Sequence, residues 1–530
     1  MNTQIKNLNY NYYYTPKQIV LPLDIQTIIP FDDPIYTFDE VMKGCNLRKY
    51  IVASNKDPRG RIGYNLVTML EVILFGFMEK GYISLRELEK SCKTDIRFMY
   101  LLRNESKVPT HMTFSNFINN HLKGTIEDIF YDINKYIFEK EKVDTNTVYI
   151  DGTKYEANAN KYSWVWKKCC ITNREKLFKK ITDIIKTIND TLLSYEMTMY
   201  TVREEYEIEY LETILKDFKK RFKIDKATFV RGKGKRKNIY QKSYEILERY
   251  IKKLKEYAYH IETCGDKRNS YAKTDKDATF MRVKRDYMGN DQLLPCYNVQ
   301  LGVSDEYISV CDVYQYASDS ECFQLLMEKY KAHYYKYPEY PVGDGGYGNH
   351  NNYIYCKERG MKLYLKFPTY KKITEDKKYR NDPFKTFNFK RNEKGELICP
   401  NGKAFHFLKT RPVKGNKYGR TEELYQCEDC NECPLKAKCH KAKGNRIIVL
   451  NEELTALHQE VIKNMNSELG IKLRINRSIQ AEGAFGVIKY DRWYKRIVRR
   501  GMESVKLELI LVSIGFNLYK YHNKKNRIIQ

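Results

Sequence analysis

The chain has 530 residues, with 94 Lys and Arg against 67 Asp and Glu, a formal charge of +27, and 42% hydrophobic residues. That length allows roughly three to four domains with a sizeable core, and the lack of any run of about 18 apolar residues excludes a membrane-spanning helix. The charge points to a polyanion, most economically nucleic acid, because Lys and Arg displace counterions condensed on phosphates. An AT-rich coding bias accounts for part of the lysine count, but the excess still needs a partner. Residues 1–14 are polar and Asn/Tyr-rich, unlike a basic-then-apolar leader. The 14 cysteines are therefore expected to be mostly reduced thiols in a cytoplasmic protein.

Residues 1–62 read as an irregular lead punctuated by Pro16, Pro22, Pro30, Pro34 and Pro58. From 64 to 80, Leu66, Met69, Leu70, Val72, Ile73, Phe75 and Phe77 recur at helical spacing, and Gly81 closes the helix. Ser84 with Glu87 three residues on is a capping box that opens the next helix. Further short helices are expected near Thr94 and Thr113. Residues 63–145 thus form a helical domain, compatible with a helix-turn-helix DNA-binding group or with a plain helical bundle.

A new regime starts at 148–151, where Val148, Tyr149 and Ile150 favour a strand that ends in Asp151, with Gly152 allowing a sharp turn. Asp151 is then either a simple turn residue or a carboxylate at a strand's carboxyl end, where open α/β sheets place their chemistry. After it come Lys154 and a run with Trp164, Trp166, Lys167 and Lys168. This mix would hold single-stranded or distorted DNA by stacking and phosphate contacts, or else pack its tryptophans under the sheet.

Residues 172–290 are charged and helical, expected as a long helical hairpin whose tip at 231–237 lacks the Walker-loop pattern. Residues 297–303 and 308–313 alternate as a β-hairpin around Ser304, Asp305 and Glu306. A helix over 319–330, a short strand ending in Asp344, a helix over 354–359 and a strand over 363–367 complete a mixed α/β sheet. The core is expected in three pieces, 146–171, 291–370 and 446–530, with a Cys-rich insertion at 371–445. Within the last piece, a strand over 447–450 precedes long helices. A helix over 479–489 carries Glu482 and Lys489 on one face, two turns apart. The final helix, over 505–521, is apolar at Leu507, Ile510, Leu511, Ile514 and Leu518, as suits packing on the sheet.

Asp151, Asp344 and Glu482 are the candidate constellation. Three carboxylates together resist ionising unless a cation compensates, and Mg²⁺ prefers a few carboxylate oxygens plus water and phosphate. Two such ions roughly 3.5–4 Å apart support in-line phosphoryl displacement. In a basic protein that chemistry means a nuclease or a DNA strand-transfer enzyme. Separately, Cys427, Cys430, Cys433 and Cys439 follow one another closely, with Cys399 upstream. Four of these five can close a tetrahedral structural Zn²⁺ site; an iron–sulfur cluster and free thiols are the alternatives.

The segments 149–160 (YIDGTKYEANAN), 342–348 (VGDGGYG) and 481–489 (AEGAFGVIK) closely resemble the DDE transposases of bacterial insertion sequences, in the branch with a Cys-rich insertion. The resemblance runs over nearly the whole chain. It implies an RNase H-like catalytic core with a helical N-terminal domain, and catalytic residues Asp151, Asp344 and Glu482 binding two Mg²⁺ or Mn²⁺ ions. It further implies a transposase that binds element ends, cleaves them with activated water, and lets the freed 3′-hydroxyl attack target DNA. Such an enzyme works as a homodimer on DNA, in a bacterial cytoplasm at the nucleoid. Lys489, at Glu-x₆-Lys spacing, is similar to the family's basic residues that hold end phosphates, and Lys154 joins it as a DNA contact. The family's Arg four residues before the Glu is replaced here by Ser478, which leaves Arg477 and Arg474 as candidates for its role. The competing readings are an inactive or domesticated DNA-binding protein, and an RNase H-like nuclease that cuts without joining.

Overall fold

The computed structural model describes residues 28–51, 64–103, 107–232, 235–283, 289 and 291–529. Residues 1–27 and 52–62 of the expected lead, Gly63, and Lys233 and Gly234 of the basic tip lie outside the described residues. The chain divides into two compact units, Met1–Val143 with Ile510–Gln530, and Asp144–Leu509.

The first unit is helical. Helix α1 (Pro34–Gly44) lies where an irregular lead was expected. Pro34 sits in the first turn, where it needs no N–H donor, and the Asp33 carboxylate accepts the Ile35 N–H at 2.9 Å. The proline therefore starts a helix and does not break one. Helix α2 (Leu66–Lys80) ends at Gly81, whose φ of 73° only glycine adopts freely. Helix α3 (Leu85–Thr94) is capped by the Ser84 hydroxyl, as its capping box predicts. A single residue, Asp95, separates it from α4 (Ile96–Leu102), and α5 (His111–Phe117) and α6 (Ile126–Glu141) follow.

The last helix, Met502–Ile529, departs from expectation, because its residues from Ile510 onward belong to this helical unit and not to the sheet. Its apolar stripe could not distinguish the two partners; polar and small residues decide. Gly515 lies directly on the Phe77 backbone, where any side chain would collide. Buried Asn517 donates to Asn134 Oδ1 at 2.8 Å, and His522 Nδ1 meets the Thr37 hydroxyl at 2.9 Å.

The second unit is built on one mixed sheet. Strand β1 (Thr147–Glu156) is followed by β2 (Trp164–Trp166), β3 (Ser270–Ala272), β4 (Thr279–Arg282), β5 (Leu293–Ser304), β6 (Tyr307–Tyr314), β7 (Tyr340–Gly343) and β8 (Tyr364–Leu365). The main sheet runs β4-β5-β1-β7-β8, with β6 also on β5. Pairing is antiparallel among β6, β5 and β1 and parallel from β1 to β7 to β8. Asp305 and Glu306 both adopt positive φ in the two-residue turn between β5 and β6, the tight hairpin geometry. The helix Phe323–Tyr334 connects β6 to β7, and the helix His350–Glu358 connects β7 to β8. Three antiparallel strands followed by two parallel ones with helical crossovers make an RNase H-like core. Tyr149, Val342, Phe323, Leu326 and Tyr353 are buried in it.

Three boundaries differ from expectation. Strand β4 pairs with β5 and so belongs to the core, although residues up to 290 read as insertion. Between β2 and β3 the chain forms three helices around one apolar core, not a hairpin: Lys167–Leu193, Ile208–Arg221 and Ile239–Cys264. Strand Ile447–Leu450 pairs with Thr421–Cys427 in the Cys-rich insertion, not with the main sheet.

Candidate active site

Gly152 does not turn the chain after Asp151. Strand β1 continues to Glu156, with Asp151 opposite Leu301 and Gly152 opposite Gln300 of β5. The glycine is needed for space, since a methyl group there would overlap the Gln300 amide. Asp151 nevertheless stands at an edge, because the parallel pairing of β1 with β7 ends at Tyr149 and Val342. Two residues beyond that last pair come Asp151, still within β1, and Asp344, just past the end of β7, and the Asp344 charge acts on the Asp151 carboxyl. Since side chains alternate along β1, Asp151 shares the face of Tyr149. The Asp344 carboxylate caps its own turn by accepting the Gly346 N–H at 2.8 Å.

Glu482 comes from the helix that begins at Glu468. Its α-helical part, Glu468–Arg477, widens into a π-turn at Ser478–Glu482, and a second π-turn spans Val487–Asp491. Such widened turns concentrate at functional positions. They also change the expected facing of Glu482 and Lys489. Glu482 is 53% exposed, whereas Lys489 turns inward, donating to the Thr153 hydroxyl at 2.6 Å and lying 4.5 Å over the Tyr155 ring.

Arg477 joins the acids. One guanidinium nitrogen donates to Glu482 Oε1 at 2.6 Å and the other lies 3.6 Å from Asp151 Oδ1, with the Arg477 side chain 11% exposed. Ser478, one residue on, donates to the other Glu482 oxygen at 3.1 Å. Arg474 stands a turn earlier, beside Lys366 and Tyr370. Lys154 is engaged with Asp319 Oδ1 at 2.7 Å. Of the four expected DNA-contacting cations, Lys154, Arg477 and Lys489 thus have protein partners in this state.

Electrostatics show strain at Asp151. Burial raises its carboxyl to about 6; Arg477 opposes that shift, while the Asp344 and Glu482 charges add to it. Burial lowers the Lys489 amine to about 8, with Asp151 acting against the shift.

A buried polar layer that sequence reasoning overlooked supports the acids. The Tyr347 hydroxyl donates to Gln300 Oε1, and the Gln300 amide donates to Asn298 and to Asp319 Oδ1, both at 2.9 Å. Asn298 also donates to Asp319, at 2.8 Å. The signal was present: Asn298 and Gln300 are two polar residues on one face of an otherwise apolar strand.

The hard oxygens of Asp151, Asp344 and Glu482 suit a divalent cation, which would offset the burial and the neighbouring carboxylate charges that raise Asp151. Among the described residues, however, no group of three His, Cys, Asp or Glu is arranged as a ready metal site. Glu482 is held by Arg477 and would have to rotate off it to ligate a metal. In the Cys-rich insertion, Cys399, Cys427, Cys430, Cys433 and Cys439 line one cavity of about 20 Å³, room for a single water-sized body. Backbone N–H groups of Lys403 and Arg446 donate to the sulfurs of Cys399 and Cys430 at 3.4 Å, and Arg446 Nη1 donates to Cys439 at 2.9 Å. These contacts suit thiolates, the form that ligates zinc.

Because burial raises Asp151, its carboxyl favours folding when protonated, below about pH 4, and that contribution is lost as pH rises through about 6. Asp151→Asn is therefore expected to stabilise the metal-free protein at pH 8 by up to about 3 kcal/mol, a shift of about two pKa units. The gain should shrink to nothing near pH 4, as read from denaturation curves at the two pH values.

Residues 398–522 match the family described as Transposase DDE domain, and residues 23–120 match a Transposase domain (DUF772). No curated protein and no solved structure matches the chain. The first match contains Glu482, Lys489 and the cysteines; Asp151 and Asp344 lie outside it, and the fold brings them near each other. Transposase family matches at both ends, with an RNase H-like core between them, together support an insertion-sequence DDE transposase.

Proposed function

We propose that this chain cuts DNA at the ends of its element and joins them to target DNA at the site of Asp151, Asp344 and Glu482. The observation that supports the reading is the parallel register of β1 with β7, which ends two residues before both Asp151 and Asp344, with Glu482 linked to Asp151 through one guanidinium. Those three carboxylates would hold two Mg²⁺ or Mn²⁺ ions, which supply activation of the attacking hydroxyl and charge neutralisation in phosphoryl transfer. Arg477 has a buried nitrogen, Nη1, with no hydrogen-bond acceptor. With Arg474 and Lys366 it presents a cationic wall to a scissile phosphate. Lys154 and Lys489 reach DNA only by leaving Asp319 and Thr153, so in this state they brace the site. Helices α3 to α5 are the proposed end-binding region. Pairing of two ends calls for a homodimer on DNA, working at the nucleoid of a bacterial cytoplasm.

Asp344→Ala is expected to abolish Mg²⁺-dependent cleavage of element ends while leaving end binding within about twofold, since Asp344 holds only its own turn. Undiminished cutting by that variant would overturn the assignment. Strand transfer from pre-cleaved ends by the unmodified enzyme separates a transposase from a nuclease, which would cut and not join.

The cysteine cavity is proposed to hold one structural Zn²⁺ through four of its five thiols. Metal analysis of purified, folded protein should return about one zinc per chain, as expected for a closed tetrahedral site. Iron in its place, or a folded protein with neither metal, would contradict this reading.

A further inference from the structure

Past Lys489 the chain leaves the second π-turn through Tyr490, Asp491, Arg492, Trp493 and Tyr494. Trp493 is unusual twice over. The residue is 74% exposed, and its backbone adopts φ 57°, a conformation rare for a bulky L-residue. Strain of this kind persists only where surrounding structure imposes it, and it concentrates at functional positions.

The surroundings impose it here. The fully buried carboxylate of Glu508 accepts the Tyr494 hydroxyl at 2.8 Å and the N–H groups of Val498 and Arg499 at 2.9 and 2.8 Å. Tyr494 N–H donates to Ile488 at 3.0 Å, and its ring packs 5.3 Å from Tyr155, the ring that also carries Lys489. Ile497 N–H donates to the Glu156 carbonyl at 3.1 Å. The loop is therefore clamped on both sides of Trp493 to β1, the strand that carries Asp151.

One face of the indole lies under the Lys495 ammonium, 4.0 Å from the ring centre, and the same ammonium is 5.5 Å from Tyr490, itself 57% exposed. From Lys489 to Arg500 the chain has six basic residues and one acidic residue, a charge balance that favours phosphate over a protein surface. A flat ring held out in a cationic setting stacks on a base, and only an unpaired base offers its face.

We propose that Trp493 is a stacking platform for a single unpaired nucleobase of the DNA bound at the carboxylate site, with Lys495 at the adjoining phosphate. This rests on the functional reading above. The loop would hold an end distorted at the cleavage step by taking one base out of its stack.

The test uses the full chain, without divalent metal, and two duplexes of the element's terminal sequence. One carries a single unpaired 2-aminopurine at the cleavage step, and the other an abasic residue in its place. The base-bearing duplex should bind more tightly, by roughly tenfold for one stacked base. Trp493→Asn should abolish that preference and brighten the bound 2-aminopurine, while leaving abasic-duplex affinity unchanged. Because Asn tolerates left-handed backbone, the variant's melting temperature should be equal or higher. Equal affinity of the unmodified protein for the two duplexes would overturn this inference alone. So would a Trp493→Asn variant that weakens both equally, or one whose only change is in self-association. Failure to bind either duplex would overturn the functional reading along with it.

Discussion

Asp151 is half-buried on a central strand near a second carboxylate and within reach of a third, and the Arg477 guanidinium is what makes that arrangement tolerable. It spans Asp151 and Glu482 with two nitrogens. A buried charge with no counterion costs several kcal/mol, and Asp151 answers in part by holding its proton more tightly, up to about pH 6. The arginine is thus a cation supplied by the chain itself, and its compensation is incomplete. Divalent ions carrying twice the charge would complete it, at the expense of the Arg477–Glu482 bond. The exposure of Glu482 and the widened π-turn that carries it provide the freedom for that exchange.

Beneath the acids lies the layer of Gln300, Asn298 and Tyr347, which fixes the turn after Asp344 against the strand that pairs with Asp151. Gly152 leaves room for Gln300, and Tyr347 reaches it from the far side of the site. Buried polar groups so fully satisfied specify one arrangement, because shifting any member strands its neighbours without a partner. The two aspartates inherit that rigidity. Glu482, on the helix, does not. Two fixed ligands and one adjustable one suit a site that must admit metal and DNA before it closes.

Much of this was legible in the residues. The start of the strand with Asp151, the hairpin at Asp305 and Glu306, the Ser84 cap and the short strand just before Asp344 all follow from local rules, and they appear where those rules put them. Tertiary choices were not legible. The final helix has an apolar stripe that fits either a sheet or a helical bundle, and only Gly515, Asn517 and His522 reveal the bundle. Pro34 reads as a breaker by itself and as a helix start only together with its cap, Asp33. Gly152 looked like a turn because its reason, the Gln300 side chain, comes from a strand about 150 residues later. The inward turn of Lys489 depends on π-turns that no periodicity announces. The carboxylate triad came from family resemblance, as composition cannot pick three acids from 67.

The most direct test of the account is a crystal structure of the full chain soaked with Mn²⁺, with the ions located by anomalous scattering. The account predicts manganese among Asp151, Asp344 and Glu482, with the Arg477–Glu482 hydrogen bond broken. Manganese bound elsewhere, or bound there with that hydrogen bond intact, would contradict it.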